Sequence, residues 1–395
     1  MTANQGRVTV LVKTPIYLDY QATTPMDDRV LAAMMPYLTT IYGNPHSSTH
    51  AFGWQAEAAL DIAREQVAAV IGAEPQEIVF TSGATETNNM VIKGVMSAWG
   101  KKKPKLVTVA TEHKCVLEAA MFCRQQGYEL EILPVSSDGL LDLNRLREAI
   151  DERTALVSVM AVNNEIGVIQ SLAEIGKLVR EKDAFFHTDA AQAFGKIPLD
   201  VEGMNIDFMS ISGHKAYGPK GVGALYKNSK RQTTLMPLFS GGGQEAGLRS
   251  GTQAPALVAG LGSAAAIAEA ELTMEAGRIS GLMSKLKTSI FSALPNLVMN
   301  GSITERWQGN LNLCFPGIDG DLLLANIRDL AVSSGAACAS AVSGPSYVLE
   351  AIGRSEVDAK SSLRIGIGRF TTADEIDYVA ESLIAVVASL GGLKP

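Results

Sequence analysis

From residue 105 to residue 188 the chain alternates short apolar runs with longer amphipathic stretches, and this limits its possible folds more than any other feature. Residues 105–110, 130–135, 155–160 and 184–188 read as strands; 114–126, 143–150 and 172–182 read as the helices between them. Parallel neighbours need a crossover, and a helix supplies it. Strands with few polar positions are buried on both faces. The pattern therefore predicts an α/β fold with a mostly parallel sheet between helical layers. A long Ala/Leu/Met-rich helical pattern over 254–294, with Gly277 and Gly281 inside it, reads as the connector to a smaller C-terminal domain. Beyond it, 310–315 and 362–367 read as strands and 373–388 as a closing helix.

With 395 residues, 47% of them apolar and 19% charged, two domains with a sizeable core are expected. A formal net charge of −7 argues against a nucleic-acid partner. The one basic run, Lys101-Lys102-Lys103-Pro104-Lys105, falls between a helix-like and a strand-like stretch and reads as a solvated loop. The four cysteines, Cys115, Cys123, Cys314 and Cys338, form no Cys-x-x-Cys pair and no metal-ligand spacing. Reduced thiols, no apolar run long enough for a bilayer and no signal-peptide layout in residues 1–14 lead to the expectation of a cytoplasmic protein without a membrane partner.

In open α/β sheets ligands bind beyond the carboxyl ends of the strands, and there the chemistry-bearing residues fall. Phe208-Met209-Ser210-Ile211 reads as a buried strand running into Ser212-Gly213-His214-Lys215. A lysine desolvated at such an end loses proton affinity and becomes a nucleophile suited to a Schiff base. Asp189 closes an earlier strand, 26 residues before Lys215, far enough for the next strand to bring the two together. A pyridoxal 5′-phosphate (PLP) site needs such a carboxylate to keep the pyridine nitrogen protonated. Thr81-Ser82-Gly83-Ala84-Thr85-Glu86, between a strand and a helix, makes an anion site from backbone N–H groups and the helix dipole. It lacks the lysine of a P-loop and the glycines of a dinucleotide fingerprint. Glu112-His113-Lys114 offers an imidazole to stack on an aromatic ring, and Asn163-Asn164-Glu165 offers amides.

These segments resemble the cysteine desulfurases of the NifS/IscS type, which are fold-type-I PLP enzymes of the class V aminotransferases. The resemblance runs from Tyr17-Leu-Asp-Tyr-Gln-Ala-Thr-Thr-Pro25 to Arg369-Phe-Thr-Thr372, through Gly43-Asn44-Pro45, Arg249-Ser-Gly-Thr252 and Ser333-Ser-Gly-Ala-Ala-Cys338. It implies a large domain, 25–270, with a seven-stranded, mostly parallel sheet. A smaller α+β domain, 1–24 and 271–395, would carry the catalytic-cysteine loop. By the resemblance, Lys215 forms the Schiff base to PLP, flanked by His214 and by Ser212, which touches the phosphate. Ala84 and Thr85 hold the phosphate, helped by Thr252 from the other subunit of a homodimer. Asp189 pairs with the pyridine nitrogen, Gln192 with the ring hydroxyl, and His113 stacks on the ring and carries protons. Asn164 contacts both cofactor and substrate, and Asn44 and Arg364 bind the substrate, Arg364 through a two-pronged contact with its carboxylate.

Cys338 lies among small residues from Val332 to Ser346, a segment able to bury little and expected to be a mobile loop. The resemblance makes it the acceptor of sulfur from L-cysteine, which leaves as L-alanine. Cys338 then hands the sulfur to a protein acting in iron–sulfur assembly or tRNA thiolation. The length of this loop places the chain with NifS and IscS rather than with the SufS-like group. Alternatives are a selenocysteine lyase, a related aminotransferase, or an inactive relative serving as a scaffold. Glu245-Ala246-Gly247 departs from the family's Glu-Arg-Gly, and few residues follow the closing helix, where many IscS-type chains dock their scaffold.

Overall fold

The computed structural model describes residues 12–334 and 344–391, so Cys338 lies outside the described residues. Its strands are β1 (Ile16–Tyr17), β2 (Ile78–Thr81), β3 (Lys105–Val109), β4 (Glu129–Leu133), β5 (Thr154–Ser158), β6 (Phe185–Asp189), β7 (Phe208–Ser212), β8 (Gly223–Lys227), β9 (Val298–Met299), β10 (Asn310–Cys314), β11 (Leu330–Ala331), β12 (Ser333–Ser334) and β13 (Ser362–Gly366). The helices are α1 (Asp28–Thr39), α2 (Ala51–Ile71), α3 (Ala84–Trp99), α4 (Lys114–Gln125), α5 (Leu143–Ala149), α6 (Leu172–Glu181), α7 (Pro255–Ala293), α8 (Gly320–Asn326), α9 (Tyr347–Ala351), α10 (Glu356–Lys360) and α11 (Ala373–Ser389).

Seven strands form the central sheet in the order β2-β8-β7-β6-β5-β3-β4. Only β8 runs antiparallel to its neighbours; the other pairs are parallel. The residues of β5, β6 and β7 are all buried, as the apolar runs require. The order reverses at β3 and β5, since β3 leads outward to β4 while β5 leads the other way to β6 and β7. A crevice opens at such a switch point beyond the carboxyl ends. A second, antiparallel sheet, β12-β13-β10-β9, lies C-terminal to α7, and β1 pairs with β11.

The helical pattern expected over 254–294 is one helix, α7, of 39 residues. It packs against α1, α2 and α11. Its glycines have separate roles. A Cβ at Gly262 would lie 2.6 Å from Ala63 Cα, so α2 approaches too closely for any side chain, whereas Gly277 and Gly281 face open space. By length and composition α7 could cross a bilayer, which corrects the expectation that no apolar run is long enough. It packs on three helices of the chain, with part of its apolar surface left uncovered.

One histidine ties the sheet together. His187 on β6 is fully buried, with Nδ1 2.8 Å from Ser158 Oγ on β5 and Nε2 3.0 Å from Ser210 Oγ on β7. Burial pulls its pKa down to about 4, with Asp189 opposing weakly. The unfolded chain takes up this proton near pH 6.5 and the folded chain only near 4. Stability from a neutral His187 is therefore full above about pH 6.5 and falls as pH drops towards 4. That amounts to roughly 3 kcal/mol for this group alone. A His187→Gln variant, compared with the native chain by denaturant titration at pH 7 and pH 4.5, should show a shallower loss with acid. Equal losses would contradict this account.

Candidate active site

The crevice holds a cavity of about 640 Å³. Five strand ends, those of β2, β3, β5, β6 and β7, and the N-terminal segment meet there.

The first wall is the turn from β2 into α3. Gly83, at φ +146°, makes the turn, a conformation open to glycine and strained for any other residue. No side chain caps α3, so the N–H groups at Ala84 and Thr85 meet the cavity at the positive end of a 16-residue helix. Glu86 steadies the turn: Oε2 accepts from the Ser82 N–H at 2.8 Å and Oε1 from Arg249 Nε at 2.9 Å. The second wall is the turn after β7. Ser212, His214, Lys215 and Lys220 line it, and Lys215 sits half-buried in the short turn Gly213–Lys215. The His214 carbonyl accepts from the Thr24 N–H at 2.9 Å and hydroxyl at 3.0 Å, fastening the lysine turn to the N-terminal segment. Burial, with Lys215, Lys220 and Lys196 nearby, takes His214 down to about 4 and keeps it neutral.

At the opposite end β6 delivers Asp189, paired in register with Ser210 of β7. The carboxylate is buried; Oδ2 accepts from Asn88 Nδ2 at 2.6 Å and Oδ1 from the Ala191 N–H at 2.9 Å. After β3, His113 caps α4. Its Nδ1 accepts from the Cys115 N–H at 3.2 Å and lies 3.0 Å from the Cys115 thiol. Burial raises that thiol to about 12, so it is protonated and a donor. Burial also lowers the His113 pKa, with Lys215 and Lys114 helping. The imidazole is therefore neutral, its proton is on Nε2, and its orientation is fixed by α4. Glu112 is wholly buried, and burial, then the nearby Asp189, raises its pKa well above the carboxylate range.

After β5, Asn164 lines the cavity, and its buried Oδ1 has no partner among the described residues. Its carbonyl accepts from Arg364 Nη1 at 3.0 Å, while Arg364 Nη2 meets Asp19 Oδ1 at 2.7 Å. The buried guanidinium of β13 thus stands beside the Asn164 strand end. The segment that follows 335–343 is also tied here. Ser346 Oγ donates to the Glu165 carboxylate, and Tyr347 Oη donates to the Glu112 carbonyl at 2.6 Å.

The structure therefore brings Ala84, Thr85, His113, Asn164, Asp189, Gln192, Ser212, His214 and Lys215 around one cavity. Asn44 and Thr252 do not line it; both are exposed in this chain, and Asn44 accepts from the His46 N–H at 2.9 Å. Sequence reasoning assigned no role to Cys115, Lys220 or the Gln21–Thr23 segment, which line the cavity, nor to Asn88, which holds Asp189. Only Asn88 had a usable signal, one turn beyond Ala84 on the same helix face. The Ala246 departure is at the surface, where Glu245 and Ala246 both take positive φ, +50° and +53°. Glu245 itself is buried, accepting from Arg64 at 2.9 and 3.1 Å, from the Phe80 N–H at 3.0 Å and from Gln253 at 2.7 Å.

The donor set suits PLP: uncapped helix N–H groups with two lysines at one end, a carboxylate at the other, an unsatisfied amide oxygen between. Among the described residues no group of His, Cys, Asp and Glu side chains could hold a metal ion.

Comparison with known proteins agrees with this arrangement. The chain is 55% identical over 381 residues to a cysteine desulfurase, mitochondrial, from Drosophila melanogaster, covering 96% of this chain and 82% of that protein. It is 52% identical over 381 residues to cysteine desulfurase IscS of Rickettsia typhi, covering 96% and 93%. A solved NifS-like protein superposes with a TM-score of 0.88 at 36% identity, over 95% of this chain and all of that one. The fold is that of the fold-type-I PLP enzymes. Residues 16–379 match the aminotransferase class-V family, and with a lysine, a carboxylate and an uncapped helix meeting at the switch point, the chain belongs to that family.

Proposed function

We propose that this chain is a PLP-dependent cysteine desulfurase of the NifS/IscS type, converting L-cysteine to L-alanine and a persulfide on Cys338. The observation that carries this reading is the gathering of Lys215, Asp189, His113 and Asn164 on one cavity, with Arg364 against Asn164, in a chain that also holds Cys338. Bound there, PLP supplies an electron sink beside the substrate's α-carbon.

The protein's residues do the rest. The N–H groups of Ala84 and Thr85, with Ser212, hold the phosphate. Asp189, oriented by Asn88 and Ala191, would be the partner of the ring nitrogen. Gln192 would hold the ring hydroxyl, and the flat imidazole of His113 would suit stacking on the ring. Lys215 would anchor the cofactor, and its amine would take the α-proton of the substrate. Arg364 binds the substrate carboxylate. His113 holds its mobile proton at Nε2, where it can exchange with the substrate thiol. The Cys338 thiolate attacks the substrate sulfur. An S–S bond forms as the C–S bond breaks, the carbon keeps the pair and takes a proton, and alanine leaves.

A homodimer completes the reading. Thr252 is exposed and away from its own chain's cavity, while its neighbour Gln253 is held by Glu245. Leu31, Met35 and Leu38 form an exposed apolar stripe on α1, and Tyr42, Phe52 and Trp54 are exposed nearby in sequence. Such a face fits a second copy that presents Thr252 to this cavity and receives this chain's own in return. The partners are L-cysteine and a sulfur-accepting protein of iron–sulfur assembly or tRNA thiolation. The location is cytoplasmic, in keeping with the unpaired Cys115, Cys123 and Cys314.

The test is product analysis with L-cysteine and a thiol reductant. Alanine and sulfide should appear in equal amounts. A keto acid without alanine would make the chain an aminotransferase instead.

A further inference from the structure

Six residues of the turn after β6 hide a lysine that none of the chemistry above uses. Lys196 is 6% exposed, yet no carboxylate forms an ion pair with it among the described residues. Its side chain makes one hydrogen bond, from Nζ to Gln192 Oε1 at 3.1 Å. The backbone between them closes like a turn of helix, with the Phe194 N–H donating to the Ala190 carbonyl at 2.8 Å and the Lys196 N–H to the Ala193 carbonyl at 2.9 Å. Gln192 and Lys196, four residues apart, therefore share a face.

Gln192 lines the cavity. Its Nε2 donates to the Gln21 carbonyl at 2.7 Å. A carbonyl can only accept, so the carboxamide atom facing Gln21 must be nitrogen. A lysine amine donates in both its protonation states, so the atom facing Lys196 is oxygen. The two contacts agree on one orientation and leave the second N–H of Nε2 for the cavity. Without Lys196 the oxygen would be buried without a donor, and the amide would be free to swing or flip.

We infer that Lys196 is a positioning residue of the cofactor site, holding the Gln192 carboxamide so that its second N–H faces the ring hydroxyl of bound PLP. Burial first, then Lys215, lowers the ammonium of Lys196 to about 7, with Glu275 opposing, and the His214 imidazole also lies near it. The inference rests on the cofactor reading above and adds to it a buried residue that touches neither cofactor nor substrate.

A double-mutant cycle of Lys196→Met and Gln192→Ala tests it, with readouts of PLP affinity by titration and of the pH midpoint of the visible band of bound PLP. Methionine fills the lysine's volume without a polar atom, so the fold should survive; melting checks this, and Lys196→Leu repeats the experiment should Met fail. Each single variant should bind PLP roughly fivefold more weakly, the worth of one hydrogen bond. Each should move the band midpoint in the same direction, and the double variant should match Gln192→Ala. If Lys196→Met shifts affinity and midpoint as much in the Gln192→Ala background as in the native one, Lys196 acts by its charge and the inference is overturned. If the single variant shifts neither, it is overturned while the cofactor reading stands. If native chain shows no visible band with PLP, both fall.

Discussion

Replacing Cys338 by serine should leave PLP bound, with its visible band intact, and reduce alanine and sulfide formation from L-cysteine by about a thousandfold or more. The reason is chemical. A free thiol near pKa ~8.5 is a few per cent thiolate at neutral pH, and thiolate sulfur attacks sulfur readily. A serine hydroxyl stays protonated and is a poor nucleophile towards sulfur. The cavity proposed to hold PLP is built from the strand ends of the central sheet, far in sequence from residue 338. Cofactor binding and sulfur transfer should therefore separate cleanly. Undiminished turnover in Cys338→Ser, with cofactor bound, would remove Cys338 from the reaction.

Lys215→Ala should have the opposite profile. The turn Gly213–Lys215 follows β7 directly, and the fastening of His214 to Thr24 holds it against the cavity wall. Under the proposed function, removing the side chain deletes both the covalent anchor and the amine that would take the α-proton. Borohydride reduction of the native chain with PLP should fix the cofactor to the peptide containing Lys215; in the variant no peptide should be labelled. Turnover should fall by about a thousandfold or more, the scale of a lost general base. Labelling of another lysine with retained turnover, Lys220 being the nearest candidate on the same wall, would reassign the anchor.

Much of this site was legible because its pieces sit at ends of periodic segments. The strand expected at 184–188 is Phe185–Asp189, and the one running into Ser212 is Phe208–Ser212, so Asp189 and Lys215 fall where the reading put them. Parallel pairing of Asp189 with Ser210 then brings together groups 26 residues apart. What remained hidden depends on packing between distant segments. Asn88 meets Asp189 across 101 residues, and Ser346 meets Glu165 across 181. No local pattern marks either contact. Lys196 was invisible for the opposite reason: a lysine after a glycine reads as a turn in solvent, and only the tertiary structure buries it. The long helix α7 shows how composition misleads in both directions. By its residues alone it could span a bilayer, and its small residues instead let α1 and α2 pack close.

Transfer of the substrate's sulfur onto Cys338 can be read from the mass of the protein. PLP-loaded chain given L-cysteine without reductant, then alkylated under conditions that preserve persulfides, should gain one sulfur atom on the peptide containing Cys338, matched by one alanine released. The added sulfur should vanish on treatment with a thiol reductant. Alanine released with no sulfur on Cys338, or sulfur found instead on Cys115, Cys123 or Cys314, would contradict the account.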